Sequence, residues 1–136
     1  MVIAEVCNYA PNYGGNFIAS LLAVEEYVAR DNSKSRLIFI FPQAAANKEW
    51  VKELMKGHTV HFLSNGMLRS NMELLKWCKD DQIDILHTHF YGLITGCIVG
   101  WFTKTNVIHH VHNTWEKPTL FKSSLHRLLA SSCKKW

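Results

Sequence analysis

Arg36-Leu37-Ile38-Phe39-Ile40-Phe41-Pro42 decides how this chain folds. The run is apolar from Leu37 to Phe41, without the in-out alternation of a half-buried strand. A strand with that pattern is covered on both faces, as in a parallel sheet flanked by helices. Pro42 stops it, because proline has no backbone donor for the ladder.

On the amino-terminal side, Asp31 to Ser35 is a polar turn, and before it Phe17, Leu21, Val24 and Val28 recur at helical spacing in a helix from Asn16 to about Arg30. Asn8 to Gly15 carries the Asn, Pro and Gly residues of a loop, and Met1 to Cys7 is a short apolar strand. Downstream, Asn47 can cap a helix that runs through Lys56. Trp50, Val51 and Leu54 lie on its inner face, and Gly57 follows its end. Thr59 to Leu63 reads as strand three, and Asn71 to Lys79 as a helix packed through Met72, Leu75 and Cys78. Ile83 to His89 is strand four, Tyr91 to Lys104 an apolar helix, Val107 to His112 strand five, and Ser123 to Ser132 a last helix.

Strands alternating with helices imply right-handed crossovers and a Rossmann-like, doubly wound parallel α/β sheet with helices on both faces. The common order 3-2-1-4-5 makes strands one, four and five neighbours, so their carboxyl ends open onto one crevice. Three features meet there. Asn12-Tyr13-Gly14-Gly15-Asn16 follows strand one, Ile83-Asp84-Ile85-Leu86-His87-Thr88-His89-Phe90 ends strand four, and Val107-Ile108-His109-His110-Val111-His112-Asn113 ends strand five.

The glycine pair at a helix start lacks the full spacing of a dinucleotide fingerprint and the Gly-Lys-Ser/Thr of a P-loop. It serves either a tight turn or the close approach of an anion, such as a diphosphate, to free N–H groups at a helix start. Strand parity puts His87 and His89 on one side, His110 and His112 likewise, and turns His109 the other way. These histidines could ligate zinc, but no cysteine or acid joins them at the usual spacing, so neither a metal nor a cofactor is expected. A histidine ending a strand suits a sugar hydroxyl or a proton role near neutral pH. The expected contact residues are Gly14, Gly15, Asn16, His89, Asn113 and Trp115, with His89 and His112 facing the cleft ahead of His87 and His110. Trp115 could stack on a sugar ring or simply pack in the core, and the direction of Glu116 is open.

The 136 residues fit one domain, and 48% hydrophobic with 19% charged residues is ordinary globular composition. The net charge of +4 gathers late, where Lys117, Lys122, Arg127, Lys134 and Lys135 are opposed only by Glu116 after Trp115. Such an end can meet phosphates or anionic lipid, or be plain solvated surface. The basic residues form no dense patch interleaved with aromatics, so nucleic acid is not an expected partner. Four cysteines without a C-x-x-C pair suit a reducing, cytoplasmic setting. The start has neither the basic region nor the apolar core of a signal peptide, because Glu5 comes too early. The apolar stretch Gly92 to Phe102 is too short to span a bilayer. Gly92, Gly96 and Gly100 at four-residue spacing therefore point to close packing on the sheet rather than helix dimerisation in lipid.

Taken together, the early Gly-Gly loop, Ile-Asp-Ile-Leu-His-Thr-His-Phe at strand four and Val-Ile-His-His-Val-His-Asn-Thr-Trp at strand five resemble the N-terminal domain of family 4 glycosyltransferases of the GT-B fold, over roughly residues 1 to 118. The resemblance implies retaining transfer from a nucleotide-activated sugar to a glycan or lipid-linked acceptor in polysaccharide biosynthesis, usually without a metal. It places Gly14 and Gly15 near the donor diphosphate, His112 near the transferred sugar as the catalytic candidate, and His89 at the polar residue ending strand four. The family's C-terminal donor domain, with its E-x7-E motif, would lie beyond Trp136. The chain is therefore expected to be one incomplete domain, unable to turn over without that partner. Two other expectations stand beside this one. One is an accessory subunit that recruits acceptor at the inner face of the membrane, and the other is a small flavodoxin-like nucleotide-binding domain.

Overall fold

The computed structural model describes residues 1–31, 34–90 and 93–110. Its strands are β1 (Val2–Cys7), β2 (Arg36–Pro42), β3 (Thr59–Leu63), β4 (Ile85–His89) and β5 (Asn106–His110). The helices are α1 (Gly15–Asp31), α2 (Glu49–Met55), α3 (Met67–Asp80) and α4 (Leu93–Phe102), and a 3-10 turn covers Gln43–Ala45. All strand pairs are parallel, and the order is β3-β2-β1-β4-β5. The doubly wound α/β arrangement expected from the strand-helix alternation is the one observed. The last helix, at Ser123 to Ser132, lies outside the described residues, as do His112, Asn113, Trp115 and Glu116.

β2 shows why an unbroken apolar run was needed. Leu37, Phe39 and Phe41 pack with Ile18 and Leu21 of α1 and Val51 and Leu54 of α2. Ile38 and Ile40 point the opposite way, into a second core with Leu74 and Cys78 of α3, Leu86 of β4 and Val99 of α4. Alternate residues of one strand thus serve two cores. Each large side chain so buried contributes roughly 1.5–3 kcal/mol.

Two helices differ from the sequence reading. α2 begins at Glu49 with Lys48, not Asn47, at its N-cap, and no side chain caps it. Lys48 instead sends its Nζ to Asn12 Oδ1 at 2.8 Å. α3 starts at Met67, after Gly66 turns the chain with φ +100°, so its inner face falls on Ser70, Asn71, Leu74 and Cys78. Met72, expected inside, is 61% exposed. Two polar residues on the buried stripe hide the true period. Ser70 Oγ is accommodated there by donating to Met67 O at 3.1 Å.

The glycines of α4 bring that helix close to β5. A Cβ at Gly96 would lie 3.1 Å from Val107 Cγ1, and one at Gly100 would lie 2.9 Å from Val107 Cγ2. Overpacking at such a site costs about 1–3 kcal/mol, against roughly 0.5–1 kcal/mol gained from replacing a mid-helix glycine. Gly100→Ala should therefore lower the urea midpoint, and adding Val107→Ala should recover part of the loss. A Gly100→Ala variant more stable than the parent would contradict the close contact. No helix among the described residues is long and apolar enough to cross a membrane.

Candidate functional site

Towards the carboxyl ends of β1, β4 and β5 the sheet gathers Glu5, His87, His89 and His110. Register sets them side by side: Glu5 is opposite His87, Cys7 opposite His89, and His89 opposite His110. These residues share the sheet face that α1 and α2 cover over β1 and β2. Further along that face, over β4 and β5, histidines replace apolar side chains.

Glu5 is the centre of the group, and only 1% of it is exposed. His89 Nε2 lies 2.8 Å from its Oε2, and His87 Nδ1 lies 3.0 Å from the same oxygen. The two ring nitrogens are themselves 3.2 Å apart. Burial pushes the Glu5 carboxyl up, but the hydrogen bonds and charge of His87 and His89 outweigh it and hold the group below the usual carboxylate range. An isolated buried carboxylate would be prohibitively costly, so the histidine partners are what allow an acid inside this strand.

His110 extends the cluster outward. Its ring stacks near that of His87, with centroids 5.8 Å apart and 14° between planes, and sits 5.2 Å from that of His89. Desolvation, then the neighbouring charge of His89 and His87, lowers its pKa against a weaker opposing pull from Glu5. His109 faces the other way and meets Thr88 Oγ1 through Nδ1 at 2.8 Å. Among the described residues, parity sorts His87, His89, His109 and His110 as the sequence implied, but access does not follow. His89, expected to face the cleft, is 3% exposed beneath Phe17, whose ring meets it edge-on at 5.4 Å. His110 is exposed and the His87 side chain is 24% exposed, so these two, ranked behind His89, are the ones solvent reaches. The physical reason is α1, whose first turn places Phe17 over the end of β4.

Next to this cluster, side chains of α1, α2 and the segment after β4 hold the loop that follows β1. Tyr9 packs on Phe17, Trp50 and Phe90 with ring centroids 4.8, 5.8 and 6.4 Å away, and its hydroxyl donates to Gly14 O at 3.0 Å. Trp50 Nε1 donates to Pro11 O at 3.1 Å. Gly15 holds φ +56°, a left-handed conformation that L side chains rarely adopt. A Cβ at Gly14 would crowd Ile18 and Trp50 at 3.2 and 3.3 Å. The turn itself therefore favours glycine at Gly15, while a side chain at Gly14 would have to displace Ile18 or Trp50 by a few tenths of an ångström. The two glycines also leave the start of α1 open, with Gly15 and Asn16 exposed to solvent. The loop joins the cluster directly, since Asn8 N donates to His89 O at 3.1 Å. Phe90, just after β4, has φ +54°, strain of the kind that gathers at functional sites.

Sequence reasoning missed Glu5. The signal was present: one acid inside Val2-Ile3-Ala4-Glu5-Val6-Cys7, which needs a buried partner, and strand register supplies His87. The remaining described histidines have structural employment. His58 Nδ1 pairs with Glu25 at 3.1 Å, and His61 pairs with Asp81 at 3.0 Å while stacking on Trp77. A depression of about 600 Å³, lined by Cys78, Asp84, Trp101 and Lys104 among others, opens at the amino-terminal edge of the sheet and is separate from this cluster. No protein-family model and no curated protein matches this chain.

Proposed function

We propose that this chain provides the acceptor-side wall of a glycosyltransferase cleft, which moves a sugar from a nucleotide-activated donor to a glycan or lipid-linked acceptor. One observation carries the reading. The exposed α1 start at Gly15 and Asn16 and the histidine-bearing ends of β4 and β5 share the edge where the strand order reverses. In open α/β sheets ligands collect at that reversal. An anion such as a diphosphate is favoured by the N–H groups and dipole of a helix start. The histidines opposite it suit the hydroxyl groups of an acceptor. The donor's nucleotide would be held by a second domain outside residues 1–136, in a longer chain or in a partner subunit.

The motif resemblance puts His112 nearest the transferred sugar. A transfer assay with the donor-binding domain present should show His112→Ala losing on the order of 10²–10⁴-fold in kcat, the range a proton-handling group supplies. A His112→Ala enzyme at full rate would remove the catalytic assignment. Tight flavin binding by residues 1–136 unaided would favour the flavodoxin-like alternative and overturn the proposal.

A further inference from the structure

We propose that Glu5, His87, His89 and His110 bind one divalent metal ion of the zinc class. The donor atoms of the three histidines all lie within 4.8 Å of one another. Glu5 Oε2, His87 Nδ1 and His89 Nε2 form a tighter triangle, with sides of 2.8, 3.0 and 3.2 Å. Tetrahedral zinc with bonds of about 2.0–2.1 Å holds its donors about 3.3 Å apart, so small side-chain adjustments seat an ion against this triangle. Without a metal the two rings share Glu5 as acceptor, which holds their nitrogens 3.2 Å apart and facing each other. A cation accepts all three lone pairs together.

The donor chemistry selects the metal class. Three imidazoles and one carboxylate suit zinc and its neighbours cobalt, nickel and copper, whereas magnesium and calcium need mostly oxygen ligands. Rigidity favours binding as well. The four residues stand on three adjacent strands with fixed register, so few rotamers must be ordered when the ion enters. Exposed His110 forms the entrance, and buried Glu5 and His89 form the floor. Four protein ligands make a closed site of the structural kind, one that clips β5 through β4 to β1. While bound, the ion takes the ring nitrogens of His87, His89 and His110 that would otherwise face acceptor hydroxyls, so the two roles compete for the same side chains. The assignment neither rests on sugar transfer nor needs it for its test.

The test uses the chelator-treated chain titrated with zinc, magnesium or calcium salts separately, followed by calorimetry or by competition with a chromophoric chelator. Saturable uptake of one zinc ion per chain is expected, with magnesium and calcium failing to compete. His110→Gln, on an exposed side chain whose loss leaves the fold intact by circular dichroism, should weaken zinc at least roughly 100-fold, beyond what an outer-shell change costs. His61→Gln, whose histidine pairs with Asp81 instead, should retain the parent affinity. No saturable zinc uptake, or uptake left unchanged by both His110→Gln and His87→Gln, would overturn the site.

Discussion

Glu5→Ala should destabilise the protein by about 2–6 kcal/mol, because it leaves two ring nitrogens without their acceptor at about 1–3 kcal/mol each. The side chain is 1% exposed, and its loss leaves the ring nitrogens of His87 and His89 without their shared acceptor. Against a total stability of roughly 5–15 kcal/mol, that change brings a domain close to unfolding at ambient temperature. Urea denaturation at neutral pH measures it. Glu5→Gln keeps an acceptor oxygen and should lose less. The pH dependence has a definite sign. A carboxyl held below its ordinary range contributes stability that is complete above the unfolded-state value and is lost as pH falls through the depressed folded value. The acid limb of the stability profile should therefore flatten in Glu5→Gln. A loss below about 1 kcal/mol for Glu5→Ala, typical of exposed pairs, would mean that the carboxylate is not buried among these histidines.

Phe39→Ala should cost a comparable amount, about 3–5 kcal/mol, as phenylalanine truncations in cores do. Phe39 is fully buried on the α1 face of β2, stacked near Phe41 with ring centroids 6.3 Å apart and meeting His58 edge-on at 5.3 Å. Neighbouring rings cannot close the resulting cavity without moving the helices. Ile108→Ala, on the same sheet face but at β5 and 40% exposed, should stay within roughly 0.5 kcal/mol, as ordinary surface substitutions do. Similar urea midpoints for the two variants would contradict the placement of the core beneath α1 and α2.

The fold was legible because its determinants are local. The Leu37–Phe41 run requires cover on both faces, and helix-length segments between short strands leave few alternatives to a parallel sheet. Element ends were less so. Ser70 and Asn71 occupy the buried stripe of α3, which moved the apparent inward positions to Met72 and Leu75 although Leu74 is the buried leucine. The candidate site was half legible. Period-two parity grouped His87, His89 and His110 and set His109 apart, but burial depends on where Phe17 of α1 lands, and local sequence does not encode that. Glu5 shows the general difficulty. It stands 82 positions from His87 in the chain, and only strand register makes them neighbours. Read as an acid inside an apolar strand, it asks for a partner; read as one more charge in the count, it says nothing.

The convergence of Glu5 with His87 and His89 on one edge of the sheet is tested most directly by long-range nitrogen-proton spectra of the imidazole rings, compared between the parent chain and Glu5→Gln. The ring nitrogens of His87 and His89 should shift most, His110 should follow through its stacked neighbours, and His58 and His61, paired with Glu25 and Asp81, should stay in place. Unmoved His87 and His89 signals in Glu5→Gln would contradict the cluster.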